Sequence, residues 1–351
     1  MKVVVRFRIR KEMPKLLSPI NSLDGAVEVI NAGADELYCG VTIPGLEDFI
    51  LYRSRVCEIP TYQELGEVLR YAHKHDVRVL ITMNLPFVTK TMEGYVKKHI
   101  RSCLDEGIDA LIIGNMGVLS IVKEMQVDVP LVASTFFVSM NCEAVKLLEK
   151  AGFSRIILER HLTISEISEI VHHSKVDVEV FIHNGGCSNI NGSCYLLHII
   201  YPKLFQALRG FSGINPPCTL PLDVYDQDDE KKIGSGLLVL DAFTFCSICQ
   251  LPELIETGVY GFKIVGRCYS GEYIASVTRI YRQLIELFEL GSKEHFQKRV
   301  ESIKMGRDPL IVDSPPLFQL TQRFMCEQKR CYYRPFFSLR TVRGIPYNAN
   351  R

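Results

Sequence analysis

Short apolar, β-branched runs alternate along the chain with longer segments whose apolar positions recur every three or four residues. The short runs are Leu16 to Ile20, Glu36 to Val41, Val77 to Thr82, Ala110 to Gly114, Pro130 to Ser134, Arg155 to Leu158, Val178 to Ile182 and Gly261 to Val265. They predict eight strands. The longer segments predict helices over Leu23 to Ala32, Tyr62 to His75, Met92 to Glu106, Asn141 to Ala151 and Ile164 to His172. Gly33, Gly107, Gly152 and Gly258 each stand just before a strand run, where a helix C-cap glycine belongs. The repeated punctuation marks βα units.

Such units build either an open doubly wound sheet or a closed barrel, and periodicity does not separate the two. The number of units favours the barrel. The first strand is followed by Ser18-Pro19-Ile20-Asn21-Ser22 and not by Gly-x-Gly-x-x-Gly, so a dinucleotide-binding sheet loses its usual support. The expected fold is α/β, a (β/α)8 TIM-type barrel over residues 1–285. Within it lies a cysteine-bearing excursion after strand 7, residues 183–250, whose middle holds Pro216-Pro217 and the acidic run Asp226 to Glu230. Residues 286–351 read as an appendage, helical at first and irregular after Pro309, Pro315 and Pro316.

Composition narrows the class. The 351 residues are 47% hydrophobic and 23% charged, enough apolar material for a large core. Lys and Arg (41) nearly balance Asp and Glu (40), so whole-chain charge gives no argument for a polyanionic partner. The start, Met1 to Lys11, does not read as a secretory signal, and no apolar run nears the roughly 20 residues that span a bilayer. A cytoplasmic protein is expected, with its twelve cysteines kept as thiols, so that clustered ones read as metal ligands more readily than as disulfides.

One stretch breaks the alternation. His183-Asn-Gly-Gly-Cys187 runs on through Asn191-Gly192-Ser193 to Cys194, two thiols in surroundings of Gly, Asn and Ser at the carboxyl end of strand 7. That end is where such barrels place their chemistry. Cys218, after Pro216-Pro217, and Cys246 complete a set of four. Four thiolates point to an iron-sulfur cluster or a structural zinc, the bland alternative being buried small hydrophobes. Cys39, Cys103 and Cys142 fall on strand or helix patterns and are expected to pack. Cys57 and Cys268 stay unassigned, and Cys326 with Cys331 forms a pair with no partner pair nearby in sequence.

His183 precedes Cys187 at a strand end, as an acid or base, a hydrogen-bond donor to a ligand, or a packed histidine. Arg160 with His161 ends strand 6 and Arg267 ends strand 8, a cationic rim suited to a carboxylate substrate or else paired with acids such as Glu159 or Glu272. The basic tail from Gln328 to Arg351, interleaved with Tyr and Phe, suits either RNA or docking on the barrel itself. Neither His-Glu-x-x-His nor Gly-x-Ser-x-Gly occurs, so proteolysis lacks a nucleophile or zinc motif.

The Cys187 to Cys194 segment resembles the signature of the U32 peptidases, the collagenase-like peptidases. Gly33 to Gly40, Thr82-Met-Asn84, Asp109 to Asn115, Ala133-Ser-Thr135, Gly152 to Arg160 and Phe262 to Arg267 are similar to that family's blocks in family order. The resemblance implies a (β/α)8 barrel and a 4Fe-4S cluster held at Cys187, Cys194, Cys218 and Cys246, the last preferred to Cys249 for its spacing from Pro252-Glu253-Leu254. It also implies a kinship with UbiU/UbiV-like iron-sulfur proteins and RNA-modifying members, which resemble oxygen-independent hydroxylases that take oxygen from prephenate. On that footing Arg160 and Arg267 would anchor an anionic co-substrate, His183 would assist proton transfer, and RNA or a quinone precursor would accept the oxygen. The family's Lys-Ile-Glu-Gly-Arg is here Lys263-Ile264-Val265-Gly266-Arg267, without the carboxylate. A metal-dependent peptidase and a non-catalytic iron-sulfur scaffold in a homo- or heterodimer are the other functions this leaves.

Overall fold

The computed structural model describes residues 12–46, 57–85, 87–186, 190–193, 222–225, 232–237 and 245–316, together with positions 318, 319, 322, 326 and 331–333. Eight parallel strands close into a barrel. They are β1 (Lys15–Pro19), β2 (Glu36–Cys39), β3 (Arg78–Met83), β4 (Ala110–Ile113), β5 (Leu131–Ala133), β6 (Arg155–Ile157), β7 (Asp177–His183) and β10 (Gly261–Ile264). β10 enters between β7 and β1 and completes the circle. Between β7 and β10 the excursion contributes a separate antiparallel pair, β8 (Leu222–Tyr225) and β9 (Lys232–Leu237).

Helices α1 (Leu23–Asn31), α2 (Tyr62–Lys74), α3 (Glu93–Asp105), α4 (Met116–Glu124), α5 (Cys142–Lys150) and α6 (Ile164–His173) follow the first six strands in turn. Local chemistry starts most of them. The side chains of Ser22, Thr61, Asn115, Asn141 and Thr163 each accept a hydrogen bond from a first-turn amide, and Thr163 forms a full capping box with Glu166. The four glycines read as C-caps have φ between +81° and +97°, a region that L side chains rarely enter. The short α7 (Leu251–Glu256) precedes β10, and α8 (Gly271–Glu289) follows it, capped by Ser270. α8 therefore runs on through position 285, and α9 (Lys293–Lys304) and the short α10 (Pro309–Val312) pack back on it. Among the described residues no helix is long and apolar enough to cross a membrane.

The lower half of the barrel encloses charge. Arg155 forks onto both oxygens of Glu36, at 2.5 and 2.9 Å, reaches Glu179 at 3.1 Å and stacks 4.1 Å from the centre of the Tyr260 ring. Lys263 sits over the Tyr38 ring with its Nζ 3.9 Å from Glu179. Burial, only partly opposed by Glu179, pulls that ammonium down to about 7. Leu, Ile and Val side chains fill the rest of the interior and the layer beneath the helices.

Candidate active site at the barrel mouth

The carboxyl ends of β5 and β6 and the cysteine loop are knitted together. Glu159, just past β6, is 1% exposed and accepts hydrogen bonds from Thr135 Oγ1 and from His161 Nδ1, both at 2.8 Å. Asn191, in the loop between the first two excursion thiols, donates to Thr135 Oγ1 at 3.3 Å and accepts from Arg160 Nη2. Gly192 permits this approach, since a Cβ there would lie 2.2 Å from the carbonyl oxygen of Phe136. Arg160 also lies 5.4 Å from the centre of the Phe181 ring, and its Nε is buried without a hydrogen-bond partner. Arg160 therefore ties down the cysteine loop, and the rim acid Glu159 is taken by His161 and Thr135.

Arg267 stands on the other side of β7. Its Nη1 donates to Thr82 Oγ1 at 2.8 Å, and its carbonyl accepts from Asn21 Nδ2 at 2.7 Å. A Cβ on Gly40 would meet Arg267 Nη1 at 2.5 Å and Glu58 Oε1 at 2.8 Å, so guanidinium and carboxyl crowd over the same glycine. Burial raises the Glu58 carboxyl against the pull of Arg267, and it pushes the nearby Cys39 thiol up to about 12. No sequence pattern singled out Glu58. It reaches the mouth because Ile59 pairs with the end of β2, its amide donating to the Gly40 carbonyl at 2.9 Å. Cys57 and Cys268, the neighbours of these two residues, form a disulfide with their Cα atoms 4.4 Å apart. The expectation that every cysteine stays a thiol is corrected here: residues 211 positions apart in sequence meet within bridging distance once the barrel closes.

His183 does not face the mouth. The register between β7 and β10 slips after Lys263, so that Phe181 pairs with Lys263 but His183 pairs with Ile264. Such a bulge re-aims the side chains beyond it. His183 is fully buried against Tyr281 of α8 and Phe318, with Nδ1 3.3 Å from the Tyr281 hydroxyl and Nε2 without a partner. Burial lowers it to about 3, so the ring is neutral. Of the roles the sequence left open for His183, the structure places the ring among packed side chains and away from solvent.

Cys187, Cys194 and Cys218 lie outside the described residues. Cys246 is buried, and the segment around it returns to the end of β7. Asn184 N donates to the Phe245 carbonyl at 2.8 Å, and Ser247 N to that of Ile182 at 3.0 Å. Gly186, one residue before Cys187, is pressed so closely on Phe245 that a Cβ would fall 1.1 Å from its ring. The two ends of the excursion thus meet at one strand end. Of the four predicted ligands only Cys246 is among the described residues; its thiol is a donor of the kind an iron-sulfur cluster takes, and the orphaned Nε of Arg160 marks a buried polar position beside the 190–193 stretch of the excursion. Val265 occupies the place of the family glutamate and packs next to Gly185.

The other cysteines divide. Cys39 and Cys103 are packed in the core as expected. Cys326 and Cys331 lie beside Cys246, although nothing in the sequence linked them to it. On the outer helices Cys142, Glu169 and His173 hold their ligand atoms within 4.8 Å of one another. That group is away from the barrel mouth.

A closed parallel barrel whose carboxyl end carries a fixed arginine on each side of β7 and a buried carboxyl defines a TIM-type fold. The chain belongs to peptidase family U32, whose pattern matches residues 21–330. It is 29% identical over 275 residues to a 23S rRNA 5-hydroxycytidine synthase of Escherichia coli, covering 78% of this chain and 39% of that protein. It is 28% identical over 311 residues to the uncharacterized protease MJ0090 of Methanocaldococcus jannaschii, covering 83% and 70%. With tRNA hydroxylation protein P1 of Bacillus subtilis the identity is 24% over 286 residues, covering 80% and 65%. The chain therefore spans well under half the length of the first of these relatives and about two thirds of the others.

Proposed function

We propose that this protein is an RNA-modifying enzyme that hydroxylates a nucleoside without molecular oxygen. The observation that carries the reading is the Arg160–Asn191–Thr135–Glu159 lattice, which fastens the cysteine loop over a barrel mouth where Arg267 stands. Relatives over most of this chain are an rRNA hydroxycytidine synthase and a tRNA hydroxylation protein, and they supply the substrate class.

In this reading a 4Fe-4S cluster would be held by Cys187, Cys194, Cys218 and Cys246, the set that the family resemblance implies. When bound, such a cluster supplies one-electron redox capacity next to the substrate. The protein's own groups do the rest. Arg267 binds a carboxylate of a prephenate-like co-substrate bidentately, oriented by Thr82. Glu58, whose raised affinity for a proton comes from burial, holds or gives up that proton beside the same guanidinium. Arg160 sets the loop's position and the loop excludes water. A hydrolytic alternative needs a nucleophile and its base at the mouth, whereas the Ser168–His172 and Ser292–His295 contacts lie on outer helices.

The test is reconstitution. Anaerobically purified protein, prephenate and RNA from cells lacking the gene are incubated together, and the nucleosides are read by mass spectrometry. A nucleoside gaining one oxygen atom is expected with the wild type and lost by a factor of at least about 100 with Arg267→Ala, as for removal of a charge-orienting group. Peptide cleavage with no change in RNA would overturn the reading.

A further inference from the structure

On the outside of the barrel, α5 and α6 pack on each other, and a group of metal-ligating side chains spans the two helices. Glu169 and His173 stand four residues apart on α6, so both project from the same face of that helix. Cys142 is the first residue of α5, set there by the Asn141 cap, whose side chain accepts from Ala144 N at 2.9 Å. Cys142 is half-buried against the core beneath the helices, while Glu169 and His173 are exposed. One donor atom from each, a thiol sulfur, a carboxylate oxygen and an imidazole nitrogen, lies within 4.8 Å of the other two.

Orientation separates this group from an ordinary solvated helix face. His173 Nδ1 is 2.8 Å from the Glu169 carbonyl oxygen, which can only accept, so Nδ1 carries the proton and the neutral ring keeps its lone pair on Nε2. A ring nitrogen held in this way by a backbone carbonyl is the usual support of a metal-ligating histidine. His75 bonds its own helix in the same manner. The hydrogen bond therefore fixes a tautomer, and the convergence of three donors from two helices makes the site. Lys146, one turn along α5, is taken by Glu143 at 2.6 Å. Among the described residues neither the Glu169 carboxylate nor His173 Nε2 has a hydrogen-bond or ion-pair partner.

We propose that Cys142, Glu169 and His173 bind one zinc ion, with water in the fourth position, and that the ion fastens the start of α5 to α6. Zinc accepts this mixed set of sulfur, nitrogen and oxygen donors, and three protein ligands leave it an open tetrahedral position. Magnesium and calcium call for oxygen ligands and do not suit a thiolate beside an imidazole. Rotation of the exposed Glu169 and His173 side chains draws the donors in to the bond lengths of roughly 2.0–2.3 Å that zinc requires. The thiol gives its proton to solvent as it ligates, and because the ion joins two helices its binding adds to the stability of the fold. The site is separate from the barrel mouth and stands or falls independently of the RNA-modifying reading.

The test is zinc titration calorimetry on the full chain, purified anaerobically and freed of loosely held metal, with cobalt(II) difference spectra to report the ligands. The wild type is expected to bind one equivalent of zinc that Cys142→Ser and His173→Gln each bind at least about 10-fold more weakly, since altering even the partner of a ligand costs that much. Glu169→Gln, an isosteric change at an exposed position, gives a loss of the same order without disturbing packing. The cobalt form shows a sulfur-to-cobalt charge-transfer band that Cys142→Ser lacks, and saturating zinc raises the Tm of the wild type more than that of any of the three variants. Matching circular dichroism without metal reports that the variants fold. Wild type and variants that bind zinc alike, a cobalt spectrum with no charge-transfer band dependent on Cys142, or magnesium that displaces zinc at equal concentration would each overturn the proposal.

Discussion

Arg155 is held from three sides in the barrel interior, by both oxygens of Glu36, by Glu179 and by the face of Tyr260. Burial by itself would raise Glu36, and the Arg155 hydrogen bonds more than offset it, leaving the carboxyl below its ordinary range. Glu179 goes the other way, because its burial outweighs the pull of Lys263 and Arg155. Removing one member of such a buried set strands the others without partners. Arg155→Met is therefore expected to cost about 3–5 kcal/mol of stability in urea unfolding, and adding Glu36→Gln should recover part of the loss. Equal stability of Arg155→Met and wild type would contradict this account of the interior. Residue positions along strands were roughly legible in the sequence, since Arg160 and Arg267 each stand three residues past the last residue of their strands. Their partners were not, because Asn191 and Glu58 reach them from outside the barrel strands and Thr82 from β3, positions that only the closed barrel brings near.

At the scale of elements, the eight strands, five of the helices and the four C-cap glycines follow from local pattern, and the structure agrees with them to within a residue or two, while α4, capped by Asn115, was not among the expected helices. The outward turn of His183 does not, because a single-residue slip in β7 comes from pairing with a strand some eighty residues later. The same holds for the way the excursion leaves and returns. Residues 182–184 and 245–247 pair, and Gly186 fits there only because it lacks a side chain. Gly186→Ala forces a methyl into the Phe245 ring and should lower stability by roughly 1–3 kcal/mol, as overpacking does. In combination with Phe245→Ala the added methyl has room, so thermal unfolding should show the double variant no less stable than Phe245→Ala alone. Additive losses would mean that the close contact does not hold this junction.

The whole molecule combines a closed parallel barrel, whose lower half is a buried ionic and apolar core, with a mouth assembled from strand ends and the returning excursion. That division of labour is usual for the fold, stability below and chemistry above. Barrel and family were legible from repeated βα units and from motif order, and the family pattern over residues 21–330 bears them out. The substrate was not legible, since nothing in the residues at the strand ends specifies a nucleobase. The most direct measurement of the central claim is nucleoside mass spectrometry of rRNA and tRNA from cells with the gene deleted, complemented by the wild type or by Arg267→Ala. The account predicts that one hydroxylated nucleoside disappears on deletion, returns with the wild type and stays absent with Arg267→Ala. Unchanged nucleosides in both RNA classes after deletion would contradict it.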